Sequence, residues 1–301
     1  MRTTNIRLTP PSPRWAEHAC AFVAATCLLA GAAARVPVQA QTAGTLKVMD
    51  WNIHHGLDTS GASNLDRVVT WIANVNPHVV SLNEVEKENG YNAGADEPAV
   101  LESALELRTG SPWYACFAQR VGAAAGQGNL LLSRIRLDSC DTHLLTATRS
   151  VARATLTVDG AIVTVFSTHL DDASAATRTT QVAEIITWAA TAPADRLLMG
   201  DFNAGPGAAE LAQLRTGWDD AWAAAVSVGS AVSYPGNTAG NTRNSRIDYI
   251  WRSKGAARLT LQSAQVYDTG TISDHRPVSA TYGVAAAMSM PRPPANVRVV
   301  Q

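Results

Sequence analysis

Short apolar runs recur along the chain from about residue 45 onward, separated by polar stretches that contain turn-forming residues. Apolar runs of about four to eight residues bounded by turn formers are typical of β-strands. Ten segments have this character and are predicted to be strands: 46–53, 79–85, 113–118, 130–133, 154–158, 162–168, 196–199, 247–251, 259–266 and 278–282.

Three helices are predicted between these strands, two of them from the period of an α-helix. Apolar residues spaced i, i+3, i+4 and i+7 predict one helix over 65–72, capped by Asn64, and a second over 182–189. A third helix is predicted over 98–109. Helices alternate with strands except through residues 113–168, where strands follow one another. This order predicts an α+β fold of two mostly antiparallel or mixed β-sheets packed face to face as a sandwich, flanked by α-helices.

Composition narrows the class of protein. The chain has 301 residues, of which 46% are hydrophobic and 16% charged, and its formal net charge is −1. This balance excludes an intrinsically disordered chain, and the 14 Pro and 21 Gly are too scattered for a fibrous repeat. A chain of this length can bury a core large enough to fold without added cross-links.

The first 40 residues have the pattern of a secretory signal peptide. Arg2, Arg7 and Arg14 precede an apolar run over 19–29, and small residues occupy the −3 and −1 positions of a cleavage site after Ala40. The alternative, an uncleaved membrane anchor, is disfavoured because the apolar stretch is shorter than the roughly 20 residues that span a bilayer. We expect a signal peptide over 1–40, a secreted or periplasmic protein, and no stable membrane insertion after cleavage.

The mature chain is expected to form one domain over residues 41–283, followed by a flexible C-terminal tail over 284–301. Removal of residues 1–40 leaves 20 basic and 24 acidic residues, which excludes a general polyanion-binding surface. Contacts with nucleic acid would then come from a local cluster of arginines. Five arginines are candidates: Arg120, Arg149, Arg153, Arg243 and Arg246.

Two cysteines, Cys116 and Cys140, remain after the predicted cleavage. Export would place them in an oxidising compartment, where disulfides persist. The predicted strand over 130–133 lies between them in sequence and could hold them a whole strand apart, beyond the Cα separation that a disulfide bridges. A disulfide and a pair of buried free thiols therefore both stay open. The sequence has no Cys/His cluster of the zinc-binding kind.

Acids, amides and histidines interrupt the apolar pattern at the ends of predicted strands or within them. Each alone is typical of a turn, a helix cap or a hydrogen-bonded histidine. Strand ends on one rim of a sheet stack converge, however, and several carboxylates gathered there repel one another unless a hard cation binds them. Eight residues have this placement: Asn52, Glu84, His169, Asp201, Asn203, Asp248, Asp274 and His275.

Seven motifs occur in order along the chain: Asn-Ile, Leu-x-Glu-Val, Gly-Asn-x-x-Leu-Ser-Arg, Thr-His-Leu, Gly-Asp-Phe-Asn, Ile-Asp-Tyr-Ile and Ser-Asp-His-Arg-Pro-Val. This set resembles the endonuclease/exonuclease/phosphatase superfamily, which includes deoxyribonuclease I, apurinic endonucleases, neutral sphingomyelinases and inositol-polyphosphate 5-phosphatases. The resemblance extends from Leu46 to Tyr282 and implies a two-sheet sandwich flanked by helices. One departure is Leu82-Asn83-Glu84, where the family usually has Leu-Gln-Glu.

The resemblance implies Mg²⁺-dependent hydrolysis of a phosphate ester by in-line attack of water, with Mn²⁺ as a substitute metal. It implies that Asn52, Glu84 and Asp274 bind the metal. Asp248 would fix the tautomer of His275 and favour its protonated form. The proton of the attacking water would go to Asp201 or to the Asp248–His275 pair, and the sequence leaves this open. The implied catalytic set is His169, Asp201, Asn203, Asp248 and His275.

Four further residues are expected near the substrate phosphate. Arg153 resembles a family arginine that contacts phosphate, and Asn129 is expected to support the floor of the site. Arg243 and Arg246 belong to a polar segment over 234–246 that we expect to overhang the site.

The leading hypothesis is a secreted, metal-dependent phosphodiesterase that acts on extracellular nucleic acid. Alternatives are a sphingomyelinase-like phospholipid phosphodiesterase, an inositol-phosphate or nucleotide phosphatase and, more remotely, a non-catalytic binding protein on the same fold. A lipid phosphodiesterase predicts an exposed apolar hairpin, and no obvious one is present in the sequence. No protein partner is predicted.

Overall fold

The computed structural model describes residues 44–286. The predicted signal peptide and its cleavage site lie outside these residues, as do residues 287–301 of the predicted tail. Within the described part of the chain, no helix is both long and apolar enough to cross a bilayer.

Thirteen strands and five α-helices form between residues 44 and 286. The helices are α1 (Leu65–Val75), α2 (Glu97–Thr109), α3 (Ala175–Ala189), α4 (Ala212–Gly217) and α5 (Ala221–Ser227). The strands are β1 (Thr45–Asn52), β2 (Val79–Lys87), β3 (Tyr114–Gln119), β4 (Gly126–Ser133), β5 (Leu137–Leu145), β6 (Arg149–Val158), β7 (Ala161–His169), β8 (Arg196–Asp201), β9 (Trp218–Asp220), β10 (Ala231–Val232), β11 (Asp248–Ser253), β12 (Leu259–Val266) and β13 (Val278–Val284).

The strands form two mixed sheets, which confirms the predicted α+β sandwich. One sheet has seven strands in the order β10-β12-β13-β1-β2-β4-β3, and the other has six in the order β5-β6-β7-β8-β11-β9. β1 is parallel to β2, β7 to β8 and β10 to β12. The remaining neighbours are antiparallel.

Alternation of side chains along the strands divides the core into three apolar clusters. Inward residues of the two sheets, such as Val48 and Val163, pack against each other in the centre of the sandwich. On the outer face of the seven-stranded sheet, Trp51 packs with residues of α1 and α2. On the outer face of the six-stranded sheet, Phe166 packs with residues of α3. Helices therefore cover both outer faces.

The first helix begins where the sequence predicts, but for a different reason. The side chain of Asn64 precedes α1 and makes no capping hydrogen bond. Its Nδ2 donates instead to the carbonyl oxygens of Ile53, Leu57 and Ile272, at 3.0, 2.9 and 2.6 Å. Asn64 is therefore the N-cap residue, as predicted, but its side chain does not cap the helix and instead ties the turn after β1 to the loop that precedes β13.

Cys116 on β3 and Cys140 on β5 form a disulfide, with their Cα atoms 5.6 Å apart. β3 and β5 are edge strands of different sheets, so the disulfide joins the two sheets along one edge. β4 contains residues 130–133 and pairs with β2 and β3 inside its own sheet. The argument for free thiols was wrong because it assumed that the intervening strand separates the two cysteines.

Removal of the disulfide is expected to destabilise the fold. A Cys116→Ala/Cys140→Ala variant should have a free energy of unfolding about 2–4 kcal/mol lower than the wild type, because its unfolded chain is no longer cross-linked across a separation of 24 residues. Denaturant unfolding under non-reducing conditions measures this difference. Reductant should lower the wild-type midpoint and leave that of the double variant unchanged; equal non-reducing midpoints for the two proteins would contradict the expectation.

Candidate active site

Inward-facing positions of the two sheets change from apolar to polar at one end of the sandwich. On β1 the inward series passes from Val48 to Asn52, and on β8 it ends at Asp201. β2 and β7 become polar in the same way, and the hydroxyl groups of Ser81 and Ser167 lie 2.7 Å apart across the sheets. Strand alternation therefore collects several of the predicted polar residues on one buried floor.

The side chain of Asn83 on β2 connects the two sheets at this floor. Its Nδ2 donates to Oδ1 of Asn129 at 2.9 Å and to the carbonyl oxygen of Thr168 at 3.0 Å. Its Oδ1 accepts the backbone N–H of Asp201 at 3.0 Å. Asn83 is fully buried, and these bonds satisfy the amide away from water. They fix the end of β8 relative to β2.

Glu84 follows Asn83 at a β-bulge. Its φ is +55°, and the pairing of β2 with β4 shifts register at this point. A bulge redirects a side chain out of the regular alternation, and here the carboxylate of Glu84 lines an open cavity. It accepts a hydrogen bond from Nδ2 of Asn52 at 2.9 Å and lies 3.0 Å from Nε2 of His55.

Asn52 links the carboxylates of Glu84 and Asp201. Its Nδ2 donates to Oε1 of Glu84 at 2.9 Å and to Oδ2 of Asp201 at 3.1 Å. Two carboxylates that share one amide nitrogen are close enough to favour a cation between them. Carboxylate and amide oxygens are the ligands of hard divalent cations. The side chains present therefore fit a divalent metal held by the carboxylate of Glu84 and by Oδ1 of Asn52, which has a second lone pair beside the one that accepts the backbone N–H of His54 at 3.0 Å.

The turn after β8 places Asn203 between Asp201 and His169. Asn203, with φ +48°, donates its backbone N–H to Oδ1 of Asp201 at 2.8 Å. Nδ2 of Asn203 lies 3.0 Å from Nε2 of His169 and donates to the carbonyl oxygen of Leu170 at 3.1 Å. Burial and the positive charge of Arg149 lower the pKa of His169 well below its usual range. His169 is therefore neutral and accepts at Nε2.

His275 and Asp248 form a buried pair in which the pKa of the histidine is shifted in the direction opposite to that of His169. Nδ1 of His275 lies 3.1 and 2.9 Å from the two carboxylate oxygens of Asp248. Burial opposes a charge on His275, but the carboxylates of Asp248 and Asp201 outweigh it and raise the pKa of His275 to about 10. The imidazole is therefore protonated at neutral pH. Burial and the charge of Asp248 raise the pKa of Asp201.

Asp201, Asp248 and His275 also form the group of buried ligand-type atoms that lie within 4.8 Å of one another. The oxygens of Asp248 face His275, and both oxygens of Asp201 accept hydrogen bonds from Asn203 and Asn52. Nε2 of His275 lies 3.8 Å from Oδ2 of Asp201. Because the His275 ring is protonated at neutral pH, with its pKa raised to about 10, it has no free nitrogen lone pair for a metal, and this group holds a proton more readily than a metal.

These residues meet at a cavity of about 490 Å³. Asn52 and Asp248 are fully buried next to residues that line it. Seven of the predicted site residues line the cavity directly: Glu84, His169, Asp201, Asn203, Arg243, Asp274 and His275. The structure therefore brings together the implied catalytic set and the implied metal ligands, except that Asp274 lies at the rim. There its carboxylate pairs with Arg243 at 2.7 Å.

Arg153 does not reach the cavity, so its assignment as a phosphate ligand was wrong. It lies on β6, where odd-numbered residues such as Val151 face outward. Its guanidinium binds the carboxylate of Asp141 at 3.0 Å and lies 4.3 Å from the ring centre of Trp188. The alternation of β6 determines this orientation, and it directs Arg153 toward α3.

The assignments of Arg246 and Asn129 as residues that contact the substrate phosphate are also corrected. Arg246 is buried, binds Asp220 at 2.5 Å and stacks over Tyr249, so it does not line the cavity. Asn129 lies in the floor, as expected, but its amide groups bind Asn83 and the carbonyl oxygen of Ser150. Asn129 therefore supports Asn83 and is not a direct phosphate ligand.

Several cavity residues were not assigned to the site from the sequence. His54 and His55 form a turn two and three residues after Asn52, and this proximity in sequence was the available signal for both. Arg120 and Arg149 were considered only as flanking contacts, yet both line the cavity. The remaining lining residues that were missed are Gln127 and Asp172. The buried carboxyl group of Asp50 was missed as well; burial and the charge of Asp248 raise its pKa well above the usual range.

A two-sheet sandwich with carboxylates, histidines and arginines around one cavity defines a class of metal-dependent phosphoesterases. The endonuclease/exonuclease/phosphatase family model matches residues 51–275, and the chain belongs to this family. Members of the family are phosphoesterase hydrolases that depend on a divalent metal, and the chain is a hydrolase of phosphate ester bonds. A comparison with curated protein sequences gave no match.

Solved structures share the fold at low sequence identity. An endonuclease/exonuclease/phosphatase from Beutenbergia cavernae is 23% identical, with a TM-score of 0.64 over 80% of this chain and 72% of that chain. A humanized TDP2 of D. rerio is 19% identical, with a TM-score of 0.60 over 80% and 99%. The human nocturnin catalytic domain with bound sulfate is 19% identical, with a TM-score of 0.61 over 80% and 94%. Identities this low establish similarity of fold only.

The protonation of His275 depends on Asp248 and can be measured. In the wild type, a raised pKa means that the ring keeps its proton until the pH approaches about 10. Asp248→Asn removes the main charge that opposes burial, so the pKa of His275 should fall below the ordinary value of about 6.5.

Ring ¹⁵N chemical shifts of His275, followed by NMR against pH, measure this change. His169 provides an internal control, since its ring should remain neutral across the neutral range in both proteins. A wild-type His275 ring that loses its proton near pH 6–7 would contradict the account.

Proposed function

We propose that this protein is a secreted or periplasmic Mg²⁺-dependent phosphodiesterase that cleaves nucleic acid by in-line attack of water. The lining of the cavity carries this proposal. Arg120, Arg149 and Arg243 border the same cavity as Glu84 and Asp201, and every side chain that lines it is polar or charged. Acidic groups suited to a metal next to arginines suited to phosphates match a substrate with repeated phosphates.

Arg149 and Arg120 form the basic side of the cavity. Arg149 is buried, contacts Asp172 at 2.8 Å, and its Nε has no hydrogen-bond partner among the described residues. Arg120 donates from Nε to the carbonyl oxygen of Thr148 at 3.0 Å, which orients its guanidinium. Burial and the charge of Arg120 lower the pKa of Arg149. Two like charges that line one cavity favour an anion there.

The proposed chemistry divides among the residues at the floor. When bound at Glu84 and Asn52, the divalent cation supplies positive charge that stabilises the nonbridging oxygens of the phosphate. Asp201 accepts the proton of the attacking water, because its raised pKa makes its carboxylate a stronger base than an ordinary aspartate. Asn203 fixes the orientation of Asp201 through its backbone N–H.

The two histidines have different roles in this mechanism. His275 is protonated, so its Nε2–H donates to the phosphoryl oxygen on which negative charge increases, while Asp248 holds the ring. Its raised pKa argues against His275 as the group that accepts the water proton. His169 is neutral and accepts from Asn203 at Nε2, so its proton is on Nδ1, from which it can donate a hydrogen bond to the leaving oxygen; that oxygen then takes its proton from solvent.

Export is a separate part of the proposal. Two observations support it: the signal-peptide pattern of residues 1–40, and the Cys116–Cys140 disulfide, which is typical of proteins in oxidising compartments. N-terminal sequencing of the protein recovered from the periplasm or the medium tests it. A chain that begins at Gln41 supports export, and an intact N-terminus retained in the cytoplasm contradicts it.

One observation favours a phospholipid as a second candidate substrate. Val121 and Leu144 are apolar and about half exposed, and Val121 follows Arg120 of the cavity. The side chain of Leu144, on β5, lies close to Gly122, which belongs to the same loop as Val121. This patch is small, and the cavity itself has no apolar lining for an acyl chain. Nucleic acid therefore remains the first choice.

Cleavage of supercoiled plasmid tests the proposed function. The purified protein should nick plasmid in Mg²⁺ and not in EDTA. His275→Ala and Asp201→Asn should lower turnover by roughly 10²–10⁴, because each removes a group that acts in the transition state. Arg108→Ala, whose guanidinium lies on α2 and pairs with Asp66, is the control and should keep wild-type turnover.

Thermal melts of all four proteins should show that the variants are folded. Full turnover in either site variant would contradict the mechanism. A folded, metal-binding wild type that leaves plasmid intact would contradict the nuclease, and hydrolysis of phosphatidylcholine or sphingomyelin vesicles by that protein would identify a lipid phosphodiesterase.

A further inference from the structure

His55 faces the carboxylate of Glu84 from a constrained turn. Three successive residues, His54, His55 and Gly56, have φ values of +52°, +58° and +67°. Left-handed conformations are costly for residues with a Cβ and persist where surrounding contacts hold them. Here Nδ2 of Asn92 donates to the carbonyl oxygens of His55 and Gly56, at 3.0 and 3.2 Å. The turn directs the imidazole of His55 into the cavity.

The imidazole of His55 lies between two carboxylates. Nε2 is 3.0 Å from Oε2 of Glu84, and Nδ1 is 2.5 Å from Oε1 of Glu86. Glu86 is buried, and Asn89 donates to its other carboxylate oxygen. The ring of Tyr91 stacks on the imidazole at 4.4 Å with an interplanar angle of 10°. The side chains of Glu84, Glu86 and Tyr91 therefore hold the ring in a single orientation.

This arrangement is the one that metal-binding histidines adopt. A ligating imidazole donates its second ring N–H to a carboxylate, which fixes the tautomer and makes the ligating nitrogen more basic. Glu86 occupies that position on Nδ1 of His55. Nε2 then faces Glu84. The separation of 3.0 Å also equals the distance between neighbouring ligand atoms on a six-coordinate ion with bonds of about 2.1 Å.

We propose that Nε2 of His55 is a ligand of the divalent cation that Glu84 binds, so that the site combines nitrogen and oxygen donors and prefers Mn²⁺ to Mg²⁺. This inference rests on the metal site of the proposed function and makes it more specific. An imidazole nitrogen increases affinity for transition metals, whereas Mg²⁺ retains a preference for oxygen ligands.

The adjacent His54 provides a matched comparison. It lines the same cavity and belongs to the same turn, but its Nδ1 lies 3.3 Å from the carbonyl oxygen of Leu57. Within residues 44–286, no carboxylate pairs with the His54 ring. His54 should therefore not contribute a nitrogen ligand, although it is as close to Asn52 in sequence as any residue of the turn.

Electron spin-echo spectroscopy of protein-bound Mn²⁺ tests the proposal without reference to activity. The wild type should show modulation from a directly coordinated ¹⁴N, which should be replaced by ¹⁵N modulation when the protein is labelled with [¹⁵N]histidine. His55→Gln should lose the nitrogen signal and bind Mn²⁺ at least roughly 10-fold more weakly, the usual scale for disrupted metal sites. His54→Gln should retain the nitrogen signal and wild-type affinity for Mn²⁺.

Three outcomes would overturn the proposal: a wild type that binds Mn²⁺ without nitrogen modulation, a nitrogen signal that persists in His55→Gln, or one that disappears in His54→Gln. The labelled wild type gives an answer even if a variant fails to fold. Glu84→Gln should abolish binding of both metals by calorimetry. A folded wild type that binds neither metal at millimolar concentration contradicts the proposed function itself, whereas bound Mn²⁺ without nitrogen contradicts only this inference.

Discussion

The active site depends on one buried side chain, the amide of Asn83. Its three hydrogen bonds reach Asn129 on its own sheet and Thr168 and Asp201 on the other. Apolar contacts between two sheets are non-directional and tolerate sliding, whereas a buried amide that loses its partners costs about 1–3 kcal/mol for each group. The amide therefore selects one relative position of the two sheets. In that position the metal ligands of one sheet meet the acid–base groups of the other.

Polar groups on the two sheets then determine each other's protonation states. Asn52 on the seven-stranded sheet donates to Asp201 on the six-stranded sheet, and Asp248 beside it keeps His275 protonated. His169 lies on the same floor but next to Arg149, and it is neutral. Burial disfavours the charged form of both histidines; at His169 it lowers the pKa together with the charge of Arg149, whereas at His275 the carboxylates of Asp248 and Asp201 outweigh it. One cavity thus contains a charged and a neutral imidazole, because their surroundings move the two pKa values in opposite directions.

Much of the fold and of the floor could be predicted from the sequence, because strand alternation and ordered motifs are both local signals. The acids at the ends of apolar strands, such as Glu84 and Asp201, converge because strands of the two facing sheets end at the same rim. The disulfide could not be predicted, since it depends on the order of strands in two sheets. The outward orientation of Arg153 depends in the same way on the register of one strand within its sheet. His55 was missed because its role depends on a left-handed turn that local propensity disfavours.

The most direct test of this account is the turnover of Asn83→Ala on plasmid, compared with that of Ser81→Ala. Both residues are buried, both make hydrogen bonds between the sheets, and neither lines the cavity. If Asn83 aligns the two halves of the site, Asn83→Ala should lose about 100-fold in turnover while remaining folded, because small displacements of catalytic groups have effects of this size. Ser81→Ala should stay within a few-fold of the wild type. A folded Asn83→Ala that retains full turnover would contradict the account.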